Sequence, residues 1–248
     1  MKATALEFRL RFWILLLLVV LGFLAPWDYW LHLDGNGPNT HLWGSLAAQL
    51  SKAGVAGIGT AFDLLLGVGV LLAICGAWLR TWGAAYLGSG IVQDGRILAD
   101  GVVVDGPYRY VRNPLYLGTW LHILALSLLM PASGGAFAIL LTAVFQVRLI
   151  LAEEAFLAAK LGTPFAEYSK AVPRLLPSLR PRAVAAGNRP RWVQAVFGEI
   201  YMWGVAVSFA AVGWRYNAGL LTQCVLVSLG VSLVVRAVAM QESPAGES

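Results

Sequence analysis

Two short runs of this chain combine residue types that can hold a charged organic molecule. The first is Arg112-Asn113-Pro114-Leu115-Tyr116, preceded by Gly106-Pro107-Tyr108, and the second is Glu153-Glu154. Paired carboxylates offer acceptors to an ammonium group, arginine and asparagine offer donors to a carboxylate, and tyrosine rings offer stacking faces to a flat heterocycle. Each piece alone has an ordinary explanation. Asn113-Pro114 is a common helix start, Arg112 can reach towards lipid headgroups, and Glu153-Glu154 can be a solvated helix face. Their meaning depends on the elements that position them.

Those elements belong to a membrane. The chain is 58% hydrophobic and only 12% charged over 248 residues, with a mean hydropathy of +0.70. Lipid offers no partner to unpaired backbone groups, so a crossing takes about 20 mostly apolar residues as a helix. Six stretches approach that length: Phe12 to Trp30, Val55 to Leu79, Leu115 to Met130, Gly134 to Leu151, Val193 to Val212 and Leu220 to Val235. The first is read as a retained helix rather than a signal peptide, because it lacks a small-residue cleavage site and ends in Trp27, Tyr29 and Trp30, which suit an aromatic belt. The expected fold class is therefore all-α, a polytopic integral membrane protein of about six transmembrane helices with a cytosolic-side site. With six crossings, all Lys and Arg but Lys52 and Arg215 fall on one side, which places both termini in the cytoplasm, in a plasma (inner) membrane. The same loops account for the pI of 9.4 without nucleic acid as a partner.

Three blocks follow from the punctuation. Residues 1–54 give a helix and an external loop, residues 55–178 a membrane core, and residues 179–248 a Pro/Arg-rich linker and two further helices. In the core, Pro131 to Gly135 is a turn so short that its flanking helices must be antiparallel neighbours. The second helix, from Gly134 to Leu161, would be roughly 42 Å long and leave the membrane before Gly162 stops it. Thr163 and Pro164 then read as the cap and first residue of a new helix. Leu157, Leu161, Phe165, Tyr168 and Val172 form an apolar face that can lie on the protein or on the membrane. This hairpin brings Arg112 to Tyr116 and Glu153-Glu154 to the same cytosolic end. S-adenosylmethionine carries an ammonium, a carboxylate and a flat heterocycle together.

Gly106-Pro107-Tyr108, Arg112-Asn113-Pro114-Leu115-Tyr116-Leu117-Gly118, Glu153-Glu154, then Gly162, Tyr168, Val172, Pro173, Arg174 and Pro177 form an ordered set. It resembles the signature of the isoprenylcysteine carboxyl methyltransferase and phospholipid methyltransferase superfamily, over roughly residues 76–178. The resemblance implies an S-adenosylmethionine site of Val102, Val103, Tyr108, Arg112, Asn113, Tyr116, Glu153 and Glu154, with Arg148, Tyr168 and Arg174 as candidate catalytic residues. It also implies a lipidic or isoprenoid acceptor. Two positions depart from the pattern. Asn113 stands at the family's usual histidine position, which removes a titrating group. Leu149 stands where the carboxyl-methylating branch has a substrate-facing arginine, and Arg148 is about 100° around the helix from it. A phospholipid N-methyltransferase is one alternative and a nicotinamide-dependent membrane reductase another, although reductases of this type usually carry an acid at the position of Thr119. A non-catalytic scaffold or transporter is the third.

Other residues have structural explanations. Asp63 and Glu199 interrupt apolar segments near helix ends and are expected at the interface, although an acid within the membrane is by default a functional candidate. Arg80 and Trp82 close the second helix beside the polar loop. Cys75 and Cys224 read as packing residues, His122 should find a polar neighbour, and neither residue type shows metal-ligand spacing. Gly67 and Gly69 suit helix packing.

Overall fold

A computed structural model describes residues 2–24, 41–87 and 102–241. Every regular element among them is helical. In chain order these are α1 (Ala5–Arg9), α2 (Arg11–Leu24), α3 (Leu42–Lys52), α4 (Ile58–Leu87), α5 (Pro114–Ser127), α6 (Ala132–Leu161), α7 (Thr163–Ala171), α8 (Trp192–Gly198), α9 (Ile200–Val212) and α10 (Ala218–Gln241), with 3-10 turns at Gly106–Arg109 and Gly213–Arg215. Trp27, Tyr29, Trp30 and the external Gly/Asn/Pro loop lie outside the described residues.

The helices are sorted as lipid demands. On α4 the buried positions are all small, including Ala73, Gly76, Ala77, Thr81, Gly83 and Ala84, while Leu64, Val68, Leu71, Ile74 and Trp78 are exposed. In water this pattern would be inverted. In a bilayer, association between helices comes from close packing, which small side chains permit, and large apolar ones face the acyl chains. Gly76 and Gly118 make the α4–α5 crossing: a Cβ on Gly76 would sit 2.8 Å from the Gly118 carbonyl oxygen. Of the two glycines in Gly67-Val68-Gly69, Gly69 lies against Leu128 and Phe209 and Gly67 has no close neighbour.

α6 meets α2 at Gly134 and Gly22, where a Cβ on Gly134 would lie 2.0 Å from the Gly22 carbonyl oxygen. Gly134→Ala is expected to force these helices apart at a cost of about 1–3 kcal/mol, read as a lower midpoint of thermal unfolding in detergent. An unchanged midpoint would show that the crossing is loose.

Among the described residues, three helices are long and apolar enough to cross a membrane: α4, α6 and the Ala218–Val235 part of α10. A fourth is counted if α8 and the stretch from Ile200 to Arg215, bent by 68° at Glu199, form one span. The protein is thus an integral, polytopic membrane protein, and length and apolarity within the described residues support fewer than six crossings. α2 has 14 described residues, and α5 closes after 14 at Ser127.

The elements nevertheless share two ends. At one, Leu42 and Trp43 donate backbone N–H groups to Met130 and Leu128, the Trp43 indole donates to the Phe62 carbonyl, and Tyr216 donates to the exposed Asp63. At the other lie α1, the C-terminus of α4, the loop before α5, the C-terminal turns of α6, and Arg191, whose N–H bonds the Ala85 carbonyl at 2.8 Å.

Several boundaries differ from the sequence reading. α4 runs two turns beyond Leu79, to Leu87, and carries Arg80, Trp82 and Tyr86 into the polar end. Gly162, with φ of 60°, both ends α6 and precedes α7, so Thr163 is the first helical residue rather than the cap. The apolar face of α7 lies on the protein: Phe165, Tyr168 and Val172 pack with Val102, Val104, Leu157, Leu161 and Ala183. Cys75 is exposed, and the buried His122 ring has no hydrogen-bond partner among the described residues and meets Tyr201 edge-on.

Candidate active site

Short connection makes α5 and α6 antiparallel, and their polar ends meet side chain to side chain. Tyr116, one turn into α5, donates to Glu153 Oε2 at 2.9 Å. Asn113, at the N-terminus of the same helix, donates to Glu154 Oε1 and to the Arg174 carbonyl, both at 3.1 Å. The second Glu154 oxygen accepts two bonds from Arg174, at 3.0 and 2.8 Å. Arg112 completes the set at 3.3 Å from Glu154 Oε1. Because Arg112 also donates its backbone N–H to the Pro173 carbonyl, the segment after α7 is held against the start of α5. Glu154 is therefore a junction of three chain segments with its acceptors in use, whereas among the described residues Glu153 accepts one hydrogen bond, from Tyr116, and faces the charge of Arg11.

The loop entering α5 contributes Tyr108. Its carbonyl accepts from the Tyr168 hydroxyl at 2.9 Å, while its own hydroxyl is buried with no partner among the described residues, as is Nε of Arg112. Burial, then the charges of Glu153 and Tyr168, push the Tyr108 phenol up. Burial does the same for Tyr168, which remains a hydrogen-bond donor. Gly106 permits this loop. Its φ is +58°, and a Cβ there would lie 2.3 Å from the Tyr86 ring. Val102 and Val103 are half-buried, Val102 beside Tyr168.

Arg148 lies apart from this cluster. It bonds both carboxylate oxygens of Glu7 at 2.8 Å, and its carbonyl accepts from Ala3. Glu7 is also half of a capping box with Thr4. The Thr4 N–H first, and Arg148 second, hold its carboxyl below the usual range. Leu149 is fully buried against Phe8 and Phe145.

Two features were missed from sequence. The first is Asp105, whose carboxylate accepts from the backbone N–H groups of Ala186, Gly187 and Asn188 and from the Asn188 side chain, at 2.8 to 3.2 Å. Together with Ser178 N–H to Tyr110, Arg182 N–H to Arg109 and Arg109 Nε to Ala183, this straps residues 178–188 over the loop that carries Tyr108. Its only sequence signal was an acid directly before the loop's glycine. Burial alone would raise the Asp105 carboxyl, but the bonds from Asn188, Gly187 and Ala186 outweigh it and hold it below the ordinary 3.8. Its contribution is thus complete above 3.8 and is lost as pH falls through the lower folded value. Asp105→Ala should free the strap at any pH, since each charge-assisted bond is worth about 1.5–3 kcal/mol. Limited trypsin digestion at Arg182, the strap arginine not followed by proline, is expected to quicken by about tenfold or more. Equal rates would mean the strap is held elsewhere.

The second is the pairing of Arg80, which the sequence placed beside the polar loop, with Glu199. Arg80 is bidentate to Glu199, both bonds at 2.7 Å, and donates to Thr119 Oγ1 at 2.7 Å and to the Leu115 carbonyl. Glu199 is 3% exposed and sits where the helical stretch bends, so it is a buried ion-pair partner rather than an interfacial acid. Opposite charges in two apolar segments were the available signal, since each needs a partner in lipid.

These contacts define a membrane-embedded helical protein with one polar, carboxylate-centred site where its hairpin ends. The family model for phospholipid methyltransferase matches residues 64–163, from the second turn of α4 through the hairpin to the start of α7; over this segment the chain is similar to the membrane methyltransferases of that family. No match was found among curated proteins or among solved structures. The matched segment holds every side chain of the Tyr116, Asn113, Glu153 and Glu154 cluster, and Tyr168 to Arg174 follow it.

Proposed function

We propose that the protein transfers a methyl group from S-adenosylmethionine to a lipidic or isoprenoid acceptor at the cytosolic face of the membrane. The observation that carries this reading is the hairpin contact of Tyr116 with Glu153 and of Asn113 with Glu154. The residues present suit the donor. Glu154 is saturated by Arg112, Asn113 and Arg174, so the ammonium falls to Glu153; the unpartnered Arg112 Nε and Tyr108 hydroxyl remain for the carboxylate and the adenosyl portion. When bound, the donor supplies a methyl activated by its sulfonium. The protein's part is placement and exclusion of water: Tyr116 orients Glu153, and Tyr168 fixes the Tyr108 loop, with Val102 and Val103 bordering the donor. Arg174 and Glu154 tie the segment after α7 to the hairpin.

Six crossings with both termini on the cytosolic side accord with the shared ends of the helices. α2, α5 and the α8–α9 pair run away from the polar end, and α4, α6 and α10 return to it. A phospholipid amine is the second acceptor to test. Arg148 is committed to Glu7 and Leu149 is buried, which leaves a carboxylate acceptor without the arginine that the carboxyl-methylating branch would supply.

Calorimetry of S-adenosylhomocysteine and, separately, NADPH with the detergent-purified protein tests the reading. Saturable binding of the first alone is expected, weakened in Glu153→Gln by about 2 kcal/mol, or roughly thirtyfold. Unchanged affinity in a folded variant would remove Glu153 from the site. Binding of NADPH alone would make the protein a reductase, and binding of neither would favour a scaffold or transporter.

A further inference from the structure

Beside the site, α7 and the strap enclose a groove of about 700 Å³ lined by Arg112, Lys170, Arg180, Arg182, Ser169 and Ser178, with no carboxylate among its lining residues. Lys170, Arg180 and Arg182 take part in no ion pair among the described residues. Three cations converging beside Arg112, whose own counter-charge is Glu154, repel one another unless an anion joins them. Backbone bonds fix the geometry: Ser178 N–H to Tyr110 at 2.9 Å, Arg182 N–H to Arg109 at 2.7 Å, and Ser178 Oγ to the Arg180 carbonyl at 2.6 Å.

The apolar residues of the same segment indicate what kind of anion. Leu179, between those bonds, is 100% exposed, Leu176 is 82% exposed and Val184 87%. Large apolar side chains held outwards among arginines suit the boundary between headgroups and acyl chains, where both kinds of residue find partners. Arg112, two residues before α5 begins, puts the groove at that level.

We propose that this groove binds the phosphate of an anionic phospholipid, with Leu176 and Leu179 against its acyl chains. A soluble phosphate compound would satisfy the arginines and leave the leucines in water. The groove shares Arg112 with the proposed methyl-donor site, and its other cations, Lys170, Arg180 and Arg182, belong to the groove alone.

Binding of dioctanoyl-phosphatidylglycerol, dioctanoyl-phosphatidylcholine and inorganic phosphate to the full-length protein in detergent tests this. The anionic lipid should bind saturably and about tenfold or more tighter than the zwitterionic one, and the double variant Arg180→Gln/Arg182→Gln should lose that preference. Leu179→Ser should weaken the lipid and leave phosphate binding as it was, with an unchanged unfolding midpoint showing that the variant is folded. Equal binding of both lipids, phosphate binding as tight as the lipid, or a preference that survives the double variant would overturn the proposal. If the double variant does not fold, Leu179→Ser decides alone: undiminished lipid binding refutes the assignment.

Discussion

Glu154→Ala should destabilise the protein by about 3–5 kcal/mol, the scale for removing one partner of a buried charge pair. Glu154 is 11% exposed and Arg112 12%, so the loss leaves the Arg112 guanidinium enclosed without its anion. The Arg174 contribution is smaller, because that side chain is 46% exposed and solvent screens it. Glu154→Gln keeps an oxygen for Asn113 or Arg174 and should cost less. Thermal and denaturant unfolding in detergent measure both. A Glu154→Ala protein within about 0.5 kcal/mol of the parent would show that water already reaches Arg112. The contrast with Glu153→Gln is informative, since among the described residues Glu153 accepts one hydrogen bond, from Tyr116: its change should appear mainly in ligand binding, and that of Glu154 mainly in stability.

A comparable loss is expected from Glu199→Leu, again about 3–5 kcal/mol, and it should exceed that of Arg80→Met. The two members of the pair are not equivalent once alone. A buried glutamate can take up a proton and become neutral, whereas arginine keeps its charge. Thr119 also retains a partner without Arg80, because its hydroxyl donates to the Leu115 carbonyl at 2.9 Å. The double change Arg80→Met/Glu199→Leu removes both charges and should recover most of the loss, to within about 1 kcal/mol of the parent. Unfolding of all four proteins in one detergent completes the cycle. Additive losses would mean that the two residues act independently, contrary to their bidentate contact.

Much of the site was legible because its parts lie in two runs joined by a short hairpin. Pro131 to Gly135 forces antiparallel neighbours, and register then puts Tyr116 beside Glu153 without further information. The apolar face of α7 was visible in its spacing for the same local reason. The partners of Asp105 and Arg80 were not, because they lie more than 80 and 119 residues away in a stretch whose prolines and arginines read as linker, and at a bend within an apolar helix. Spacing reports neighbours along a helix, not across a fold. The count of crossings suffered from the opposite effect. Apolar runs show where lipid can be met but not where a helix closes, and α5 closes at Ser127 although Leu128, Leu129 and Met130 continue the apolar run as turns.

The Arg80–Glu199 pair also bears on how the protein is made. Glu199 is synthesised 119 residues after Arg80, which at usual elongation rates is an interval of roughly ten seconds. During that time the hairpin with its carboxylates has emerged, yet the arginine packed against Thr119 still lacks its counter-ion. The stretch from α8 to α9 therefore completes the charge balance of a helix inserted well before it, and Glu199 must be made before the polar end of α4 is neutralised.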